Sequence, residues 1–388
     1  MIVIKTGPNT FMVTVLLTLG RLPKALALAR ACRAAGCRVL IADPFRWHVC
    51  RPSRDVAKSF RVTAPNTSRQ RYLDELAQIV REESVDIVLP VSEEALHVAE
   101  LPGLLPEGVQ QWSCNTALLA RLHDKYSFVN YARDLGLAVP ETHLANTSEA
   151  KELAAARAFV EKPIHRCSGI GLRFGDAGEP LHCEDAGGDV QERLEGELIT
   201  SLALVHDGRI LGSVFYRGRV FAGTVAICFE RVDDAGSCRQ WVENFVESCD
   251  YSGLLAFDFI VGSDGVARAI ECNPRATSGV HFFDPASLGR ALVDPARCDH
   301  VSFTPGVRYQ WAYSTLTETY AAILKPREFA RRFREMLRAR DVVWSASDPL
   351  PFLLMTPMSW EILWPAMTSK QTLGEATQRD IAWFGNSP

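Results

Sequence analysis

Asp258, Glu271 and Asn273 carry the strongest chemical signal in this chain of 388 residues. Residues 254–261, the run Gly262-Ser263-Asp264-Gly265 and residues 266–275 together predict a β-hairpin: an apolar strand, a turn and a returning strand. Glu271 and Asn273 are two apart, so in extended chain both point the same way. Thirteen residues separate Asp258 from Glu271, about enough for the hairpin to bring the aspartate alongside. Two carboxylates and an amide oxygen, without His or Cys, form a hard oxygen set of the kind that holds Mg2+ jointly with substrate phosphates. The alternative is a solvated hairpin with its acids in water. Glu271, ending an otherwise apolar strand, speaks against it.

Residue types suited to phosphate precede the hairpin. Phe159-Val160-Glu161-Lys162-Pro163 reads as a short strand carrying a lysine, and Cys167-Ser168-Gly169-Ile170-Gly171 follows. Glycines let backbone N–H groups approach phosphate oxygens and Lys162 adds a compact positive charge, although a plain glycine turn after an edge strand has the same composition. Asp124-Lys125 opens a predicted amphipathic helix with Phe128, Tyr131, Ala132 and Leu135 on one face and Gly136 at its end. A lysine at a helix start opposes the helix dipole, so either a negative group lies close to Lys125 or its ammonium is in water. Over residues 189–197 a strand breaks at 194–196. Such a break can offer the backbone at Leu194 to the edge of a flat base, with Glu192 or Glu197 as acceptors; read alone, it is a polar turn.

These residues need a scaffold. Residues 13–17 predict a buried strand, 23–35 a helix with Pro23 in its first turn and Gly36 past its end, and 38–42 a second strand. A loop over 44–69, a helix over 70–83 and the apolar strand 86–90 complete a β-α-β opening, which predicts a parallel sheet covered on both faces. Ser92, Glu93 and Glu94 stand where such sheets meet ligands, or else cap the next helix. The first thirty residues imitate a secretory signal, but Arg21 and Lys24 sit where such a signal is uncharged. No G-x-G-x-x-G follows the first strand, and G-x-x-x-x-G-K-[ST], H-E-x-x-H and G-x-S-x-G are absent from the sequence.

Composition narrows the class. Lys and Arg number 42 against 46 Asp and Glu, a net charge of −4 that argues against a nucleic-acid protein. With 47% hydrophobic residues and eight Trp the chain is not disordered. No apolar run approaches the roughly 18–20 residues of a membrane-spanning helix. Eleven Cys, odd in number and without a C-x-x-C pair, predict free thiols in a reducing cytoplasm rather than a disulfide framework or structural zinc.

In chain order, Asp-Lys at a helix start, Glu-Lys-Pro, Ser-Gly-x-Gly, Gln-Glu-x-Leu-x-Gly-Glu, Phe-Asp-Phe and Glu-Cys-Asn-Pro-Arg resemble the ATP-grasp superfamily over residues 13–285. The likeness is greatest to its carboxylate–amine ligase branch, related to carbamoyl-phosphate synthetase and D-alanine–D-alanine ligase. The resemblance implies an α/β fold in three parts. A parallel-sheet pre-ATP-grasp domain would span 1–112, ending at the cluster Pro102, Gly103, Pro106 and Gly108. A two-lobed α+β ATP-grasp domain would span 113–300 with its lid lobe at 145–190, and an α-rich extension would span 301–388. The implied cofactors are ATP and one or two Mg2+ ions, or Mn2+. Lys125 and Lys162 would contact the phosphates beneath a loop of Ser168, Gly169 and Gly171. Glu192 and the backbone at Leu194 would meet the adenine, Glu197 the ribose, and Asp258, Glu271 and Asn273 the metal. Arg275 would neutralise the transferring phosphoryl group. Glu197 follows Glu192 by five residues, closer than in the family, and residues 1–12 form an extension before the first strand.

The implied activity joins a small carboxylate to an amine, an amino acid above all, through an acyl phosphate. A non-amine acceptor, or nucleotide binding without chemistry, are the alternatives. Arg217, Arg219 and Arg231 flank residues 220–229 and either grip a substrate carboxylate or edge an exposed strand. His281, following Ser278 and Gly279, either assists proton removal from the amine or packs the site. Cys167 and Cys272 border it without a neighbour to activate them. Residues 325–340 carry seven basic and two acidic side chains around Phe329, Phe333, Met336 and Leu337, predicting an amphipathic helix with a solvated basic face rather than a membrane or nucleic-acid surface. Met355, Met358, Trp360, Leu363 and Trp364, among four prolines, predict a capping subdomain or a homodimer contact.

Overall fold

The computed structural model describes residues 12–163, 171–182, 187–368 and 373–383. The chain forms two compact units. The first holds the described residues up to Asn115 together with Val280–Pro305 and Val342–Trp383; the second holds Thr116–Gly279 and Gly306–Asp341. This differs from three consecutive blocks. Helix Pro285–Val293 joins the first unit because Gly289 lets it approach helix Pro23–Ala34 closely: a Cβ at Gly289 would lie 1.9 Å from the Ala31 carbonyl oxygen. The last ninety residues are shared between the units, so the expected extension is not one body.

The first unit is built on a parallel sheet of β1 (Thr14–Leu17), β2 (Arg38–Asp43), β3 (Lys58–Arg61), β4 (Ile87–Leu89) and β5 (Gln110–Gln111), in the order β3-β2-β1-β4-β5. Its two central strands are wholly buried, which is why they read as continuous apolar runs. Helix Arg69–Glu82 is capped by Ser68 and buries Tyr72, Leu73, Leu76, Ala77, Ile79 and Val80. Strand β3 falls in the expected loop, its four residues, two exposed and two half-buried, carrying little periodic signal. Glu94 accepts hydrogen bonds from Val91 N, Ser92 N and Thr18 Oγ1, at 2.7, 3.0 and 3.0 Å, and so ties the ends of β4 and β1 together.

The second unit carries two sheets. A small one contains β6 (Thr142–Leu144), β7 (Phe159–Pro163), β8 (Arg173–Gly175) and β9 (Gly188–Glu192), in the order β6-β9-β7-β8. A larger one contains β10 (Glu197–His206), β11 (Arg209–Ala222), β12 (Val225–Arg231), β13 (Gly253–Val261), β14 (Ala267–Asn273), β15 (Arg308–Gln310) and β16 (Arg340–Asp341), in the order β14-β13-β10-β11-β12-β15-β16. One face of the large sheet is sealed by an aromatic cluster: Phe257 and Phe259 pack with Trp241 and Phe245 of helix Gly236–Glu247, and Phe128 stacks on Phe257. The other face is left to the site.

Helix Pro326–Arg338 contacts the second unit through its polar side. Glu335 is buried between Arg219 and Arg308, at 3.1 and 3.3 Å, whereas Leu337 is 70% exposed. The amphipathic pattern forecast a solvated basic face; it did not forecast that a glutamate would be the buried contact. Met355 and Ile362 are buried in the first unit, with Trp360 and Trp364 about half exposed. The nine cysteines described are free thiols. Among the described residues no helix is long and apolar enough to cross a membrane.

Candidate active site

A one-residue irregularity assembles the acidic set. β13 and β14 pair antiparallel, with Val261, Ile260 and Phe259 opposite Ala267, Arg268 and Ala269. The register then shifts, and Asp258 faces Glu271 rather than Ile270, while Ala256 faces Asn273. Ile270 is thus the extra residue of a β-bulge. Directly opposed residues share a face, so this bulge brings Glu271 and Asn273 to the Asp258 side; an unbroken register would pair Glu271 with Phe257 on the aromatic side.

The row continues across the sheet. Asp258 lies opposite Thr200 of β10, Thr200 opposite Tyr216 of β11, and Tyr216 opposite Arg231 of β12. Thr200 Oγ1 donates to Asp258 Oδ1 at 2.6 Å, Asn273 Nδ2 to Asp258 Oδ2 at 3.3 Å, and Arg275 NH2 to Asn273 Oδ1 at 2.9 Å. Even so, burial and then the adjacent Glu271 charge push the Asp258 carboxyl up to about 6, against the pull of Thr200, Arg275 and Lys162. Crowded hard carboxylates short of positive charge fit a divalent cation, and Asp258, Glu271 and Asn273 are the residues that would hold it.

Lys162 reaches the bulge from the small sheet. Its buried ammonium donates to Gln191 Oε1 at 2.6 Å and to the carbonyl of the bulged Ile270 at 3.2 Å. Gln191 Nε2 donates in turn to Thr142 Oγ1 at 3.1 Å, which leaves the amide oxygen facing the lysine. Lys162 lies opposite Asp189 and Val160 opposite Gln191, so these four share one face of the small sheet. Phe159 and Val190 face the other way, packed on Ala150, Leu153 and Ala154 of helix Ser148–Ala156. Burial lowers the pKa of Lys162, with Lys125 adding to the effect and Asp189, Glu271 and Asp258 opposing it. Lys125 opens helix Lys125–Asp134, capped by Asp124, and is buried; the nearby negative group its position calls for is Asp189, whose carboxyl feels both lysines.

Not every candidate residue falls in this group. Glu192 alternates away from Gln191 to the Phe159 face, where it forms a part-exposed ion pair with Arg157 at 3.3 Å. Gln191, which the motif reading passed over in favour of Glu192, is the residue that meets Lys162. Its signal was available, since a strand residue two from Asp189 shares that residue's face. Leu194 is half-buried in the short link from β9 to β10. The link is tight because Gly196 lies against β13, where a Cβ would be 2.2 Å from the Val261 carbonyl oxygen. Glu197 is exposed and accepts from Arg217 NH1 at 2.6 Å. Arg217 also binds Glu230, and Arg308 then Arg217 and Arg219 hold Glu230 below its usual range despite burial. Arg231 shares the Asp258 row and donates to Asp233 Oδ1 at 2.8 Å. His281 belongs to the first unit, where burial and then Arg30 and Lys24 push it down to about 3. Gly171 has a positive φ of 80°, while Ser168 and Gly169 lie outside the described residues, as does Cys167.

Residues 122–279, which contain the whole of this geometry, match the family model of the ATP-grasp domain. The second unit is built around an ATP-grasp domain. The match ends where the second unit gives way to the first, at Gly279. Among solved structures the chain is similar to N5-carboxyaminoimidazole synthetase from Staphylococcus aureus, with a TM-score of 0.60 and 14% identity over 76% of this chain and 80% of that one. Biotin carboxylase from Campylobacter jejuni is similar with a TM-score of 0.60 and 12% identity, covering 77% and 74%. L-amino acid ligase from Bacillus licheniformis is similar with a TM-score of 0.55 and 14% identity, covering 72% and 74%. At such identities the likeness is one of fold. No curated protein matches the chain by sequence. In the ATP-grasp domain, β6–β9 supply Lys162 and Gln191 and the large sheet supplies the acidic row.

Proposed function

We propose that this protein is an ATP-dependent ligase that activates a small carboxylate as an acyl phosphate and passes the acyl group to an amine, most simply an amino acid. The observation that carries the reading is the convergence on the bulge of β14. Buried Lys162 reaches its backbone, and the under-compensated pair Asp258 and Glu271 flanks it. A buried ammonium beside crowded carboxylates suits a nucleotide triphosphate held with a divalent cation. Staphylococcus aureus N5-carboxyaminoimidazole synthetase has been solved with ADP and the Hydrogenobacter thermophilus biotin carboxylase domain with MgADP, which supports ATP and Mg2+ as the cofactors here. Free cysteines accord with a cytoplasmic location.

In this reading Lys125 and Lys162 bind the phosphates, and Gln191, held by Thr142, fixes the lysine and takes the nucleobase edge that the motif assigned to Glu192. Leu194 offers its backbone there and Glu197 serves the ribose. A cation at Asp258, Glu271 and Asn273 supplies neutralising charge to the phosphate oxygens. Arg275, bonded to Asn273, stands beside the transferring phosphoryl group. Arg231, in the same row, meets the substrate carboxylate in this reading, and Arg217, tied to Glu197 and Glu230, supports the sheet. The substrate carboxylate attacks the γ-phosphorus as the bond to the bridging oxygen breaks, and ADP departs. The amine then attacks the acyl carbon, phosphate leaves, and the nitrogen loses a proton to solvent. Positioning and charge neutralisation carry the first step.

The test is phosphate release from Mg-ATP across a panel of amino acids and small carboxylates, with mass spectrometry of the products and Glu271→Gln as control. Release needing two substrates and lost in the variant supports the ligase. Release with a carboxylate alone points to a different acceptor, and failure to bind ATP removes the reading.

A further inference from the structure

Asp189 has no task in the reaction just described, yet its placement is costly. Its side chain is fully buried, and among the described residues neither carboxylate oxygen has a hydrogen-bond partner. From β7 it faces Lys162, whose ammonium is turned to Gln191 and Ile270; from β6 it faces the apolar Leu144. From the helix start, Lys125 and Asp124 act on it through space, and Gln191 is its neighbour on the same strand and face. Two buried lysines need nearby negative charge whenever phosphates are not supplying it. We infer that Asp189 is the counter-ion of Lys125 and Lys162 before nucleotide binds, and that the arriving phosphates drive a proton from solvent onto its carboxylate. The inference rests on the nucleotide reading above and adds to it a proton-coupled exchange of counter-ions.

The step is simple to balance. One O–H bond forms at Asp189, its proton coming from water or buffer, and no bond of the nucleotide changes. Burial holds the Asp189 carboxyl up at about 6 while Lys162 and then Lys125 pull it down, so it is largely ionised at pH 7 with both lysines beside it. Phosphate oxygens at those lysines add negative charge next to a buried carboxylate held ionised chiefly by the two lysines, which favours the protonated form.

Calorimetric titration of ADP tests this, in EDTA so that metal-linked protons do not enter. Buffers of differing ionisation enthalpy count the protons taken up. At pH 7 the native protein is expected to take up up to about one proton more than Asp189→Asn, protonation of ADP itself cancelling between them. From pH 6 to 8 the native affinity should weaken relative to the variant's by up to about tenfold per pH unit, and the variant's binding at pH 8 should be the tighter. Equal proton counts with parallel profiles overturn the inference and leave the nucleotide site standing. Zero uptake by the native protein at pH 8, where ADP is itself fully ionised, overturns it even if the variant does not fold. No ADP binding by the native protein removes the nucleotide reading and this inference with it.

Discussion

Two buried charge clusters in this molecule are built on opposite terms. In the first unit, Arg21 has no exposed side-chain surface. It bonds Asp43 at 2.7 Å and Asp380 at 2.6 Å and lies over the Phe45 ring at 3.4 Å. Asp43 also accepts from Gly20 N and Phe45 N, each at 2.8 Å, and these partners hold its carboxyl below the usual range despite burial. In the second unit, Asp258 and Asp189 are both pushed up to about 6 by burial, Asp258 further by Glu271, and among the described residues the Asp189 carboxylate has no hydrogen-bond partner. A cluster that satisfies its own charges is a structural clamp. One left in deficit keeps a perturbed carboxylate for something that binds.

The comparison is open to four experiments, in descending order of effect. Asp43→Ala leaves buried Arg21 with a single carboxylate partner, Asp380, and is expected to cost about 3–5 kcal/mol in denaturant unfolding. A loss below 1 kcal/mol would mean that the first cluster is not self-sufficient. Glu271→Gln should lower ATP-dependent phosphate release by about 10²–10³-fold. Without divalent cation it should unfold no more easily than the native protein, because its charge repels Asp258. A variant that keeps its activity would return Glu271 to the solvated-hairpin reading.

The third experiment is a pH series of stability without nucleotide. The Asp189 carboxyl is raised, so between pH ~4 and about 6 the folded protein binds more protons than the unfolded chain. Stability therefore falls as pH rises through that window, by on the order of 2 kcal/mol, and levels above it. Asp43, depressed, acts in the other sense: its contribution is present above the unfolded carboxylate range and is lost as pH falls through its own lower value. Asp189→Asn should lessen the first slope, leaving the share that Asp258 contributes in the same window, and leave the acid limb. The smallest effects separate two neighbours. Gln191→Leu should weaken ADP binding by roughly tenfold or more, as loss of a hydrogen bond to a buried cation does. Glu192→Gln, removing an exposed ion pair with Arg157, should change it by less than about threefold. The reverse ranking would restore Glu192 to the nucleobase.

Much of the scaffold could be read from the chain because its signals are local. Helix Arg69–Glu82 shows its cap and its apolar face in the residues themselves, and β1, β2 and β4 are apolar runs bounded by turns. Strand β3 was not legible, because four residues, none of them buried, acquire their strand state only by pairing with β2. The division of the chain was not legible either. Gly289 approaching Ala31 and Arg21 reaching Asp380 join segments hundreds of residues apart, and nothing in the spacing of either partner announces the other.

The site divides in the same way. Residue types carry the proposed chemistry: hard oxygen donors at Asp258, Glu271 and Asn273 suit a divalent cation, and lysines at 125 and 162 suit phosphates, whatever the backbone does with them. Which of them share a face was decided by tertiary structure. Thirteen residues of spacing fit a regular hairpin, but regular pairing would turn Glu271 toward Phe257; the bulge at Ile270 turns it to Asp258 and exposes the carbonyl that Lys162 meets. Strand alternation likewise gave the lysine to Gln191 and sent Glu192 outward. Side-chain chemistry is carried by each residue alone. Facing depends on register, and register is set by the partner strand and the core beneath it.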